Sequence, residues 1–193
     1  MVDLILASKS VIRKNMLKEK NIPFEVFVSN ADETPDLSKS FEEQLKEISM
    51  RKAQVIFEAT ADRNERIIVA ADQNIVFDNV MYGKPKDIDE ARKLIKSMAG
   101  SKNIYAYVGN AIIHANGNNI IKVINNCDIA RMRMDEFSEE ELEDYLTNKE
   151  PLSKCGGINI DYANFLHLEE GKMSTARGMT IEYLQDLLST LKD

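Results

Sequence analysis

Leu4-Ile5-Leu6-Ala7-Ser8-Lys9-Ser10-Val11-Ile12-Arg13 is the stretch from which the fold reads outward. Four apolar residues suit a buried strand, and the run then breaks into hydroxyls and cations. Ser8 and Ser10 can cap a following helix, whose unpaired N–H groups and positive dipole end attract anions, with Arg13 about one turn inside. A strand that delivers the chain straight into a helix N-terminus makes a ready phosphate cradle. Taken alone the hydroxyls could simply cap a helix, so the remaining sequence has to decide.

Around this stretch, strand and helix signals alternate. Ser10 to Lys20 reads as a helix with Met16 and Leu17 on its apolar side, and Pro23 to Ser29 as a second strand. Asn30 to Pro35 is a polar loop. Ser40 and Glu43 form a capping box that opens a helix carrying Leu45, Ile48, Ala53, Ile56 and Phe57, with Lys52 inside it. Ile67-Ile68-Val69-Ala70 is an apolar strand predicted to end at Asp72. An extended piece at Ile75-Val76-Phe77 and a turn at Asp78-Asn79 lead on to Gly83-Lys84-Pro85. Asp87 and Glu90 open a helix that Gly100 should stop. Tyr105–His114 and Asn119–Met134 are strand-like runs around Ala115-Asn116-Gly117-Asn118, a hairpin signal. A second capping box, Ser138 with Glu141, precedes a loop from Pro151 to Gly157. Phe165–Leu168 looks extended, and Met179–Leu191 has the spacing of an amphipathic helix.

Composition narrows the function classes. The 193 residues, 44% apolar and 30% charged, suit one globular unit or two closely joined lobes without a linker, repeat or low-complexity tract. Apolar runs of about five residues fall far short of the roughly 20 that span a bilayer. A net charge of −7 argues against a surface for nucleic-acid polymers, so an anionic ligand must meet a local cluster of cations. Cys127 and Cys155 do not make a disulfide framework and are expected to be inert thiols. No secretory pattern opens the sequence, and a cytoplasmic location is expected. His114 and His167 lack neighbours at metal-ligand spacing and are expected to pack rather than ligate.

The groups that could do chemistry come from separate segments: the carboxylates Glu33 and Asp72, and the phosphate-binding Ser8, Arg13, Lys52 and Lys84. A polyphosphate concentrates negative charge in a small volume, so its site needs fixed cations, N–H donors and oxygen ligands for a divalent metal. Lysines neutralise the leaving group while a carboxylate holds metal or orients water.

In this order and spacing the motifs resemble the Maf family of nucleotide pyrophosphatases. They are Leu4 to Ser10 with Arg13, Asp32-Glu33-Thr34-Pro35, Lys52-Ala53, Ala71-Asp72-Gln73, Gly83-Lys84-Pro85, and Glu150-Pro151-Leu152 leading to Cys155-Gly156. The resemblance covers nearly the whole chain as a single domain, 1–193. It implies an α/β fold like that of the inosine triphosphate pyrophosphatases: a central mixed, twisted sheet, flanking helices, and two lobes around a nucleotide cleft. It also implies cleavage of nucleoside triphosphates between the α and β phosphates with a divalent metal, Mg or Mn, in an assembly that could be a homodimer. Carried over, Ser8, Arg13, Lys52 and Lys84 hold the triphosphate, while Glu33 and Asp72 bind metal and position water. Lys154 falls where one branch has a lysine, and is assigned to phosphate or substrate. Gln73 and Asp161 resemble the branch acting on 7-methylguanosine triphosphate, as do Asp32 to Pro35 and Ser138 to Leu142. An acid at Asp161 could accept both N1–H and N2–H of a guanine edge. Ile12 departs from that branch, where Trp would stack on a methylated purine. The other branch prefers pyrimidine nucleotides, and the chain fits neither cleanly. The family is also linked to arrest of septum formation, so a nucleotide-binding regulator without turnover is the alternative to an enzyme clearing modified nucleotides.

Overall fold

The computed structural model describes residues 2–191. Its strands are β1 (Asp3–Leu6), β2 (Glu25–Val26), β3 (Glu65–Phe77), β4 (Val80–Tyr82), β5 (Ile104–Asn116), β6 (Asn119–Met134) and β7 (Leu166–Glu170). The helices are α1 (Val11–Glu19), α2 (Phe41–Ala59), α3 (Ile88–Met98), α4 (Glu139–Asn148), α5 (Met173–Ala176) and α6 (Glu182–Thr190). Among the described residues they build one mixed sheet, ordered β2-β1-β3-β5-β6-β7 with β4 on β3. β1 runs parallel to β2 and β3, while β3–β4 and β6–β7 are antiparallel. The chain divides into two compact units, Met1–Asp72 with Val108–Asp128 and Gly178–Asp193, and Gln73–Tyr107 with Ile129–Arg177.

The first unit follows from strands that are apolar on both faces. Successive side chains of a strand point to opposite faces. Leu4 and Leu6 accordingly pack with Met16 and Leu17 of α1 and Leu184 and Leu187 of α6, while Ile5 and Ala7 pack with Ala53 and Ile56 of α2. Such double burial is what parallel strands covered by helices require. α2 reaches the sheet closely because Gly109 faces it: a methyl group there would overlap the Leu45 carbonyl. Arg66 is fully buried. It donates to Thr60 Oγ1 at 2.8 Å and to the carbonyls of Phe57 at 3.1 Å and Gly117 at 3.0 Å, with its guanidinium over the Phe57 ring. A single side chain thereby satisfies carbonyls at the end of α2 and in the β5–β6 turn, which would otherwise be costly to bury.

In the second unit, α3 and α4 cover one continuous core in which Ala91, Ile95 and Met98 meet Leu142, Tyr145 and Phe165. The Phe165 ring lies 4.7 Å from Phe137 and 5.5 Å from Tyr145. Tyr145 donates to the Gly157 carbonyl at 3.1 Å, and burial pushes its pKa up, so it stays a neutral donor. Both predicted capping boxes are formed, at Ser40–Glu43 and Ser138–Glu141. Asp78 and Asn79 take positive φ values of 49° and 58°, the backbone that a two-residue hairpin turn needs, and so join β3 to β4.

Among the boundaries that differ from the sequence expectation, three have a clear physical reason or consequence. β2 keeps only Glu25–Val26 of the predicted Pro23–Ser29, because both residues are exposed at the sheet edge and little burial rewards a longer strand. α6 starts at Glu182 rather than Met179, after Gly178 turns the chain with φ of 100°. The third bears on the site. β3 does not end at Asp72 but runs unbroken for 13 residues, with Asp72, Gln73 and Asn74 as a half-buried polar window between two buried runs.

Candidate functional site

The first unit gathers a carboxylate–ammonium cluster at the polar window of β3. Lys52, on the inner side of α2, is 8% exposed, an unusual position for a lysine without partners. Its Nζ lies 2.5 Å from Asp72 Oδ1 and 3.0 Å from Glu33 Oε2. Asp72 is held by the ladder of β3, its side chain 16% exposed, whereas the Glu33 side chain, on the segment between β2 and α2, is 59% exposed. One ammonium thus joins a rigid carboxylate to a solvent-facing one.

Arg51, the residue before Lys52, fixes the segment that carries Glu33. It donates from Nη2 to the Thr34 carbonyl at 2.8 Å, and its Nη1 lies 3.6 Å from Asp32 Oδ2. Asp32 Oδ1 in turn accepts from the Thr34 N–H at 2.9 Å, and the Thr34 side-chain and backbone hydrogen bonds hold the Asp32 carboxyl below its ordinary range. Arg51 is a functional neighbour that no motif in the sequence marks; its one signal there is adjacency to Lys52 on a helix facing a polar loop.

The opening turn forms as predicted in outline and differs in detail. Ser10 caps α1, accepting from the Arg13 N–H at 3.4 Å. Arg13 Nη1 donates to Ser8 Oγ at 3.2 Å and to the Ala71 carbonyl at 2.6 Å, and its Nε donates to the Gly178 carbonyl at 2.8 Å. Nη1 therefore ties the turn to the residue next to Asp72, and Nε ties it to Gly178. Ser8 is buried at the end of β1, where the neighbouring Ala7 N–H bonds the Val69 carbonyl at 2.8 Å. Ser8, Arg13, Glu33, Lys52 and Asp72 all belong to this unit.

The second unit holds Gln73, Lys84, Lys154 and Asp161. The Gly83 carbonyl accepts from Gly156 N–H at 2.8 Å, which brings the turn carrying exposed Lys84 against the turn that follows Lys154. Gly156 has φ of 64°, and a Cβ there would lie 2.8 Å from Ile75 Cγ1, so both backbone and space demand glycine. Gln73 donates from Nε2 to the Ala176 carbonyl at 3.0 Å. Asp161 Oδ2 accepts from Arg177 Nε at 2.9 Å. Arg177 was not foreseen, since no spacing in the sequence links it to Asp161.

The two histidines expected to pack each meet a carboxylate. His114 Nε2 meets Glu65 Oε1 at 2.7 Å and His167 Nε2 meets Asp135 Oδ2 at 2.8 Å. Burial pushes the Cys127 thiol up to about 12, so it stays protonated. Among the described residues, no three His, Cys, Asp or Glu side chains gather as a metal cage, and no helix is long and apolar enough to cross a membrane.

A family model described as "Maf-like protein" matches residues 3–191. The chain belongs to the Maf family. Curated Maf relatives include a dTTP/UTP pyrophosphatase of Caldicellulosiruptor bescii, 32% identical over 191 residues and covering 97% of this chain and 94% of that protein. Another dTTP/UTP pyrophosphatase, of Bacillus cereus, is 32% identical over 160 residues, 83% of this chain and 79% of that protein. Among solved structures, the Staphylococcus aureus Ham1 protein aligns over 97% of this chain and 98% of its own with a TM-score of 0.50 at 12% identity, which supports the mixed α/β fold.

Proposed function

We propose that this Maf protein hydrolyses nucleoside triphosphates between the α and β phosphates, releasing a nucleoside monophosphate and pyrophosphate. The observation that carries this is the Lys52 ammonium held between Asp72 and Glu33. A site that only bound anions would gain from Lys52 and lose from two adjacent carboxylates; a hydrolase needs both signs. It is a hydrolase in which water oxygen bonds to phosphorus, the bridging P–O bond breaks, and pyrophosphate leaves. Asp72, fixed by β3, orients the attacking water and takes its proton, and Lys52 offsets the charge that builds on the phosphate oxygens. Lys84 and Lys154 serve as phosphate contacts by family resemblance.

The donor set suits a divalent cation. Mg²⁺ in phosphate-handling sites is held by one or two carboxylates plus substrate phosphates and water rather than by a closed protein cage, and Glu33 with Asp72 is such a set. When bound, Mg²⁺ or Mn²⁺ would supply Lewis-acid charge neutralisation.

For substrate we infer pyrimidine triphosphates, dTTP and UTP, drawn from a cytoplasmic nucleotide pool. Two relatives at 32% identity carry that name. Of the residues that resemble the 7-methylguanosine branch, Asp161 already has an oxygen occupied by Arg177 and Gln73 is turned to the Ala176 carbonyl, whereas Asp32 to Pro35 and Ser138 to Leu142 are not reached by these contacts. A product-resolved screen of dTTP, UTP, GTP and 7-methyl-GTP with Mg²⁺ or Mn²⁺ tests this. Pyrophosphate from the pyrimidine nucleotides, abolished by Asp72→Asn, is the expected result. Orthophosphate as first product refutes the reaction, preference for 7-methyl-GTP refutes the base assignment, and binding without turnover favours the regulator.

A further inference from the structure

The stretch from Gly178 to Thr180 leads into α6 without belonging to a helix or a strand, so no ladder sets its backbone. Gly178 turns with φ of 100°, and its carbonyl accepts from Arg13 Nε at 2.8 Å. Two residues on, Thr180 is buried and its N–H donates to Asn110 Oδ1 at 2.9 Å. Asn110 lies on β5 and is 3% exposed. Its Nδ2 meets Asp128 Oδ2 at 3.1 Å, the Val108 carbonyl at 3.1 Å and Thr180 Oγ1 at 3.3 Å, while its own carbonyl accepts from Asn125 Nδ2 at 3.1 Å. Asp128 Oδ1 accepts from Tyr183 Oη at 3.0 Å, which brings α6 into the same network. All these groups belong to the first unit. Val108 and Ile112, on the same face of β5 as Asn110, and Met179 and Ile181, on either side of Thr180, share one apolar core. A buried amide is costly unless its donor and acceptor are both satisfied, and a satisfied network fixes one arrangement of the groups it joins. Among apolar neighbours, Asn110 therefore supplies direction more than burial.

We infer that Asn110 is a positioning residue for Arg13. By holding Thr180 it sets the Gly178 carbonyl, which takes Arg13 Nε, and Nη1 then reaches the Ala71 carbonyl at 2.6 Å and Ser8 Oγ at 3.2 Å. A guanidinium is planar, so bonds at two of its nitrogens fix the plane of the whole group. The direction in which this cation meets a phosphate is therefore decided in the core, through the Gly178–Thr180 backbone. The inference rests on the triphosphate reading of Arg13. Without the Asn110 bonds the Gly178 carbonyl loses its fixed place, and Arg13 samples several orientations. That weakens a contact made both before and during bond cleavage, so it acts on binding more than on the chemical step.

The probe is dTTP with a methylene bridge between its α and β phosphates, titrated into the full-length protein with Mg²⁺ by calorimetry, alongside kcat and KM for dTTP itself. Asn110→Leu should raise the Kd of the probe and the KM of dTTP about tenfold, the worth of one hydrogen bond, and leave kcat within about threefold. In an Arg13→Met background the same substitution should change the Kd by less than about twofold, because the orientation it sets no longer has a cation to serve. Asn110→Asp should weaken the probe by facing Asp128 with a second acid. Adding Asp128→Asn exchanges acid and amide, keeps a donor between them, and should restore the Kd to within about threefold of the parent. This exchange pair carries the test where Asn110→Leu does not fold. An unchanged Kd, equal losses in the two Arg13 backgrounds, or no recovery in the exchange pair would overturn the inference. A parent protein that does not take the probe, or an Arg13→Met protein that takes it as the parent does, refutes instead the triphosphate reading on which the inference rests.

Discussion

Replacing Lys52 with methionine keeps the length of the side chain in the wall of α2 and removes only its charge. The structure sets what that charge is worth. The contact to Asp72 is short and partly shielded from water, at 2.5 Å with a 16% exposed partner, whereas the contact to Glu33 at 3.0 Å reaches a 59% exposed one. The Glu33 pair, screened by solvent, contributes at most about 1 kcal/mol. Leaving Asp72 half-buried without its cation costs about 1–3 kcal/mol, so a net stability loss of about 2 kcal/mol is expected by urea denaturation. The catalytic loss should be larger, because in the proposed reaction the ammonium meets charge that develops only as the phosphate bond breaks. Removing one such preorganised group costs about 10²–10³ in rate, or about 3–4 kcal/mol. The assay is pyrophosphate release from dTTP at a temperature where the variant is folded, alongside the stabilities of Lys52→Met, Asp72→Asn and the double variant. Contact between the two groups predicts a coupling of about 1–2 kcal/mol in that cycle. Activity within tenfold of the parent protein, or stability losses that simply add, would refute the reasoning.

Two further outcomes follow from the fold. Gly109→Ala forces α2 away from β5 against the Leu45 carbonyl, a backbone clash no rotamer relieves, and should lower stability by about 2–4 kcal/mol in chemical denaturation. The capping carboxyls Glu43 and Glu141 are held below their ordinary value of 4.5 by hydrogen bonds from Ser40 and Ser138. A depressed folded-state value stabilises above the unfolded value and stops doing so as pH falls through the folded one. Glu43→Gln and Glu141→Gln should therefore lose stability relative to the parent at neutral pH, and that difference should shrink below pH 4.5 in acid titrations followed by circular dichroism.

Local chemistry was legible in the chain wherever it is set by near neighbours. The strand-to-helix opening, both capping boxes, the Asp78-Asn79 turn and the stop at Gly100 depend on residues a few positions apart, and each formed. β3 was misjudged because Asp72 to Asn74 interrupts the hydrophobic pattern, which reads as an end in a lone strand. In a sheet, the ladder carries the chain through the polar window.

By itself the sequence determined which groups are available: the two carboxylates, the cations and the hydroxyl turn, in an order that marks a Maf protein. Only the tertiary structure decided their partners. It put Lys52 between Glu33 and Asp72, turned Nε and Nη1 of Arg13 onto the carbonyls of Gly178 and Ala71, gave Asp161 to Arg177, and brought Arg51 to the Glu33 segment. The physical reason is range. Caps and turns are closed by bonds between residues close in sequence, whereas the pairing of charges waits on which strands and helices the buried core sets side by side.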